Sequence, residues 1–191
     1  MTPIILASGS VYRQQQLQQL QLNVQAQAAA VDESLITGEN PENRARRLAT
    51  AKAEKIKDQH TKAIVIGSDQ VCARGDRVFH KPGNRENNIQ QLKAFSGQTV
   101  IFYTAVCVLD RDYTCYQHVN ETRVLFRDLS QAEISRYVDK EQAYDCAGGF
   151  KMECLGLSLM TSVTSDDPSA LMGLPLIQLC AFLREAGVAL P

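Results

Sequence analysis

Four stretches of the sequence carry side chains that can do chemistry on an anion. In Leu6-Ala7-Ser8-Gly9-Ser10-Val11-Tyr12-Arg13, small hydroxyl residues with free backbone N–H groups precede a helical run, and a guanidinium follows one turn further in. Helix-end N–H groups and arginine both complement phosphate, although Ser-Gly-Ser equally suits a plain N-cap and turn. In Gly67-Ser68-Asp69-Gln70 a carboxylate stands just as an apolar, strand-like run finishes. It is either a turn residue or, beside bound phosphate and metal, a base that deprotonates water. Asp32-Glu33 after Val31 adds an acidic pair whose plainer use is a solvated loop edge. Lys52 and Lys81 are candidate cations for a polyphosphate. Lys52 lies at i+4 from Leu48 and i+3 from Ala49, on the stripe that carries Ala45 and Ile56. It therefore faces inward and needs a partner anion. Lys81 precedes Pro82, which holds it in an extended segment able to reach into a cleft.

The elements that must position these groups follow from pattern. Pro3 to Ala7 reads as a buried strand, and Leu17, Leu20 and Val24 place one face of a helix through the Gln-rich run 14–22. Asn40-Pro41-Glu42 signals an N-cap with Pro at the first helical position, opening a helix that continues to His60. Ala63 to Gly67 is a second buried strand. A helix capped at Asn84 turns Ile89, Leu92 and Phe95 to one side, and the runs 98–109 and 113–126 make a hairpin about Asp110-Arg111-Asp112. Ser130-Gln131-Ala132-Glu133 is a capping box for a helix to about Lys140. A Gly-rich loop spans Asp145 to Phe150, and Leu155 to Val163 suits one more strand. Asp167-Pro168 supplies N-cap and first turn of a short helix, and a last helix ends near Gly187. Strands interleaved with helices around one long hairpin predict an α/β fold with a mixed central sheet flanked by helices.

The chain has 191 residues, the length of one domain, 1–191. With 45% hydrophobic and 21% charged residues it has the composition of a folded protein rather than a disordered one. Twenty Lys and Arg balance 21 Asp and Glu, so there is no field for bulk nucleic acid or a membrane surface. No apolar run reaches the roughly 20 residues of a membrane-spanning helix, and the start lacks the pattern of a secretory signal. Six scattered cysteines without C-x-x-C or paired His spacing argue against a zinc site; they read as reduced thiols in a cytoplasmic protein.

The strings LASGSVYR (6–13), VDE (31–33), RLATAKA (47–53), IGSDQV (66–71), KP (81–82), FSGQT (95–99), CAGGFKMEC (146–154) and GLPL (173–176) resemble the Maf nucleoside triphosphate pyrophosphatases. Their order and spacing match over nearly the whole chain. The resemblance implies a fold with a cleft between two lobes, like that of the inosine triphosphate pyrophosphatases. It also implies that Ser8, Arg13, Lys52 and Lys81 hold the triphosphate, that Glu33 and Asp69 serve a divalent metal (Mg²⁺ or Mn²⁺) and water, and that Asp69 is the proton acceptor. Asp69-Gln70, an aromatic at Tyr12 and the segment Phe150 to Glu153 are similar to the branch that prefers 7-methyl-GTP, so that Tyr12, Gln70 and Glu153 would select the base. The branch preferring dTTP and UTP usually carries Asp-Thr at 69–70 and Ile-Gln-Gly near 153. This chain departs from the family's usual pattern at Val11 (commonly Pro), Gln14 (often basic) and His80 (usually Gly).

The implied reaction is hydrolysis of the α–β phosphate bond, giving 7-methyl-GMP and pyrophosphate and clearing a modified nucleotide from the pool. Two rival readings stand beside it: a nucleotide-binding regulator of septum formation with little turnover, since Maf proteins are also associated with that process, and a pyrophosphatase for dTTP and UTP. A haloacid-type phosphatase lacks its D-x-D loop. The expected partner is a small nucleotide, and the apolar edges of the hairpin can support a homodimer.

Overall fold

A computed structural model describes residues 2–190, so that Met1 and Pro191, the ends of the expected domain, lie outside the described residues. A mixed sheet is built from β1 (Ile4–Leu6), β2 (Val24–Ala26), β3 (Ile64–Arg74), β4 (Arg77–Phe79), β5 (Thr99–Leu109), β6 (Cys115–Phe126) and β7 (Met160–Thr164). Its order is β2-β1-β3-β5-β6-β7, with β4 paired to the far half of β3. The helices are α1 (Val11–Gln19), α2 (Pro41–Lys57), α3 (Arg85–Phe95), α4 (Gln131–Glu141) and α5 (Leu176–Glu185).

Strand alternation sorts the core. Ile4, Leu6, Ile64 and Ile66 face α1 and α5, meeting Leu17, Leu179 and Leu183. Ile5, Val65 and Cys107 face α2, whose Ala45, Ala49 and Ala53 recur every fourth residue. Phe95, Phe102, Phe126 and Phe150 join the far half of the sheet to α3 and α4. The caps expected at Asn40, Asn84 and Ser130 are present, the last as a reciprocal box with Glu133.

Several expectations need correction. Val24 is not on the first helix: the chain turns at Leu20 and Gln21, the latter at φ 54°, and Val24 pairs with Ile4 as a parallel strand. α2 stops at Lys57 rather than His60, its last turn tightening through Gln59 and His60 N–H to Ile56 O, and the Lys57 ammonium folds onto the carbonyls of Thr61 and Ala63 beyond it. Leu155–Leu159 is a 3-10 turn, and only Met160 onward is strand. Asp167 does not cap the short turn Ala170–Met172 as a helix; it accepts from Ser169 N–H and from Ile177 N–H at the start of α5. The hairpin has no free edge on β5, which is flanked by β3 and β6, while β7 covers β6 only over Arg123–Phe126. The six cysteines are free, and none of the described helices is long and apolar enough to cross a membrane.

The largest correction concerns Asp69. β3 does not end before it but runs on to Arg74, because β5 stays paired with it from Val65 to Ala73. What ends is the neighbour on the other side: β1 leaves at Leu6, and β4 joins only at Cys72. The uncovered edge of β3 between them is where the cleft opens.

Candidate active site

A cavity of about 700 Å³ lies at that edge. It is lined by Ser8, Tyr12, Arg13, Glu33, Lys52, Asp69, Gln70, Lys81 and Glu153, so every sequence-expected site residue borders one space. Six parts of the chain supply them: the turn into α1, the loop before α2, α2 itself, β3, the loop at 80–81 and the loop at 145–153.

Alternation on β3 decides which way each side chain goes. Gly67 and Asp69 share the face toward α2, and Ser68 and Gln70 share the opposite face. On the first face Lys52, one turn along α2 from Ala49, reaches Asp69: Nζ to Oδ1 is 2.6 Å. The same ammonium meets Glu33 Oε1 at 2.7 Å. Lys52 and Asp69 side chains are each 12% exposed, whereas Glu33 is 55% exposed. The inward lysine thus has its anion, and has two of them. Burial pushes the Glu33 carboxyl up, but its bond to Lys52 and the charges of Lys52, Arg44 and Lys81 outweigh that and hold it below the usual carboxylate range.

On the second face Ser68 Oγ donates to Gly173 O at 2.8 Å. Gln70 Nε2 donates to Thr104 Oγ1 and to the carbonyls of Ala170 and Leu171 at 2.9–3.2 Å. The Gln70 amide nitrogen is therefore spent on the wall that brings Leu171 and Met172 to the cavity, and its carbonyl oxygen is what it can offer a ligand. Arg13 is similarly committed. Nε donates to Gly173 O at 3.0 Å, and Nη1 to Ser68 O at 2.9 Å and Ser8 Oγ at 3.3 Å. Burial lowers its proton affinity, and Asp69 and Glu33 work against that. Among the described residues none accepts from Nη2, whose donors face no such bond and can serve an anion.

Ser10 caps α1 through Arg13 N–H, and its own N–H donates to Ser8 Oγ. Val11 occupies the first helical position, exposed, so replacing the family's usual Pro leaves the cap in place. His80 lines the cavity, and its carbonyl accepts from Gln91. Gln14 is not among the lining residues.

Sequence reasoning missed Arg44. It is 6% exposed, lines the cavity, and donates to Glu33 O at 2.6 Å and Ser34 O at 3.4 Å, tying the acidic loop to α2. A buried arginine on the apolar stripe one turn from Leu48 was the available signal. Lys151 and Cys146 were also missed. Tyr12, Cys146, Asp145 and Glu153 form a second group, in which burial and a hydrogen bond to Cys146 raise the Tyr12 phenol.

Among the described residues no group of three His, Cys, Asp or Glu side chains forms a metal cage. Glu33 and Asp69 each keep one carboxylate oxygen that is not engaged with Lys52. Two carboxylate oxygens plus ligand phosphates are the donor set that Mg²⁺ accepts, since it keeps waters and rarely uses an all-protein cage. The residues fit a divalent cation on those terms.

In fold, the chain is similar to a Ham1 protein of Staphylococcus aureus, with TM-score 0.56, 16% identity, and 96% of this chain and 99% of that one covered. A HAM1 protein of Coxiella burnetii gives TM-score 0.52 at 16% identity, covering 97% of this chain and all of that one. In sequence it is 46% identical over 183 residues to a 7-methyl-GTP pyrophosphatase of Saccharophagus degradans, covering 95% of this chain and 93% of the relative. It is 47% identical over 189 residues to a 7-methyl-GTP pyrophosphatase of Aromatoleum aromaticum, covering 98% and 97%. The Maf-like protein family matches residues 3–186, and with the acidic pair, the lysine between them and the serine-arginine corner all bordering one cavity, the chain belongs to the Maf family.

Proposed function

We propose that this protein hydrolyses 7-methyl-GTP between its α and β phosphates, releasing 7-methyl-GMP and pyrophosphate, and that residues 1–191 act as one domain. The carrying observation is Lys52 bridged between Asp69 and Glu33 at the open edge of β3. A site that only binds a polyphosphate gains nothing from two carboxylates at the point where phosphate sits. The names of the relatives support the same reaction and base.

In this reading the triphosphate lies across Ser8, Arg13, Lys52 and Lys81. Asp69 accepts the proton of the attacking water, the oxygen bonds to phosphorus, and the anhydride bond breaks so that pyrophosphate leaves. Lys52, Lys81 and the free edge of Arg13 offset the charge that grows on the leaving group. Glu33 and Asp69 would hold a Mg²⁺ or Mn²⁺ through their remaining oxygens, which when bound would neutralise phosphate and acidify water. Arg44 keeps Glu33 at the mouth. Methylation at N7 makes guanine cationic, and Tyr12 stacks on that ring while Glu153 accepts its N–H groups. Gln70 shapes the base wall, through Leu171 and Met172. The place of action is the cytoplasm, where the nucleotide pool is.

Pyrophosphate release from 7-methyl-GTP, GTP, dTTP, UTP and CTP with Mg²⁺ or Mn²⁺ tests this. Dominant release from 7-methyl-GTP is expected. Tight nucleotide binding without release from any of the five overturns the enzyme reading, and dominant release from dTTP or UTP overturns the base.

A further inference from the structure

The cavity has two electrically different ends. Around Glu33 and Asp69 the cations Arg13, Arg44, Lys52 and Lys81 outnumber the carboxylates, which suits a polyphosphate. Around Tyr12 the balance reverses: Asp145 and Glu153 both line the cavity, and both act electrostatically on the phenol. Lys151, a cation that also borders the cavity there, is drawn off toward Glu141, with Nζ 3.7 Å from Oε1.

Asp145 and Cys146 border the cavity together with Tyr12 and Glu153, and Cys146 Sγ donates to Asp145 Oδ1 at 3.5 Å. Burial pushes the Cys146 thiol up to about 11, so it stays neutral at pH 7 and adds no charge to this wall. Asp145 thus adds a carboxylate to the wall that carries the aromatic platform of Tyr12. A cationic ring stacked on Tyr12 gains from both, and a neutral ring gains only the stacking.

We infer that Asp145 is a second specificity-determining carboxylate of this cavity, selecting with Glu153 those nucleotides whose base carries a positive charge over the same nucleotides with a neutral base. The chemical class is N-alkylated purine nucleotides. This rests on the pyrophosphatase reading and adds a residue that neither Tyr12, Gln70 nor Glu153 accounts for. Asp145 is exposed, so its effect on a bound charge is partly screened and falls with added salt.

The test compares the whole wild-type chain with Asp145→Asn and Asp145→Glu. Pyrophosphate release gives kcat/KM for 7-methyl-GTP and GTP, and calorimetry gives Kd for 7-methyl-GMP and GMP. Asp145→Asn is expected to lower the methylated-to-unmethylated preference about fivefold, in KM and Kd rather than kcat, the scale of one partly screened charge pair. Asp145→Glu retains the preference, and raising salt moves the wild type toward Asp145→Asn. An Asp145→Asn preference equal to wild type overturns this inference and leaves the pyrophosphatase reading standing. A wild type that does not prefer 7-methyl-GTP overturns the base reading itself, and the inference with it.

Discussion

Gly67 has no room for a side chain against Ala49: a Cβ there would stand 2.1 Å from the Ala49 carbonyl oxygen and 2.8 Å from the Ala53 Cβ. α2 lies this close to β3 because its facing residues are alanines and the strand offers a glycine. Lys52 is one turn along the same helix and Asp69 two residues along the same strand. Backbone packing therefore brings the two side chains close enough for their 2.6 Å contact.

Gly67→Ala is expected to push α2 off the sheet, since the obstacle is a backbone carbonyl that cannot rotate away. Overpacking of this kind costs about 1–3 kcal/mol. The urea midpoint should fall, and pyrophosphate release should fall with it because Lys52 moves with the helix. A variant with unchanged midpoint and turnover would show that the helix can shift without disturbing the pair.

Asp69→Asn keeps the shape of the side chain and one acceptor for Lys52, but removes the proton acceptor. Removing a general base lowers turnover by roughly 10²- to 10⁴-fold. The thermal midpoint should move little by comparison. Single-turnover pyrophosphate release checks the first expectation, and retention of near-wild-type turnover would assign the base elsewhere.

Arg44→Leu removes the donors to the Glu33 and Ser34 carbonyls, and with them a positive charge that helps hold the Glu33 carboxyl low. The expected result is a rise of about tenfold in the metal concentration needed for half-maximal turnover, one hydrogen-bonded contact's worth of positioning. A titration with Mg²⁺ at saturating nucleotide reads this directly, and an unchanged metal requirement would separate Arg44 from Glu33.

Glu133 tests the linkage between charge and folding far from the site. Its side-chain and backbone hydrogen bonds with Ser130, and then Arg127, lower its carboxyl from the ordinary 4.5 to about 2. A carboxyl depressed on folding binds protons more readily in the unfolded chain, so its contribution is fully present above pH 4.5 and is lost as pH falls toward 2. Glu133→Gln should therefore be less stable than wild type at neutral pH, with the gap closing across that window. Urea midpoints at several pH values for both proteins measure it, and a gap independent of pH would place the effect in packing.

Much of this protein is determined by short stretches of its sequence. Asn40, Asn84 and Ser130 start helices because each offers an oxygen to a backbone N–H three residues on. Ile89, Leu92 and Phe95 share a buried face because a helix repeats every 3.6 residues. Lys52 had to find an anion because its position on α2 turns it inward. Such relations span at most a few turns, and residue order alone specifies them. The tertiary structure decided what depends on neighbours distant in the chain. β3 continues past Asp69 because β5 accompanies it, and no local pattern in Ser68-Asp69-Gln70 announces that partner. Val24 became a strand because β1 had an edge to give it. Asp69 and Gln70 are adjacent in sequence yet serve opposite faces, one meeting α2 and the other the 170–171 turn, because a strand alternates its side chains and the sheet is covered on both sides.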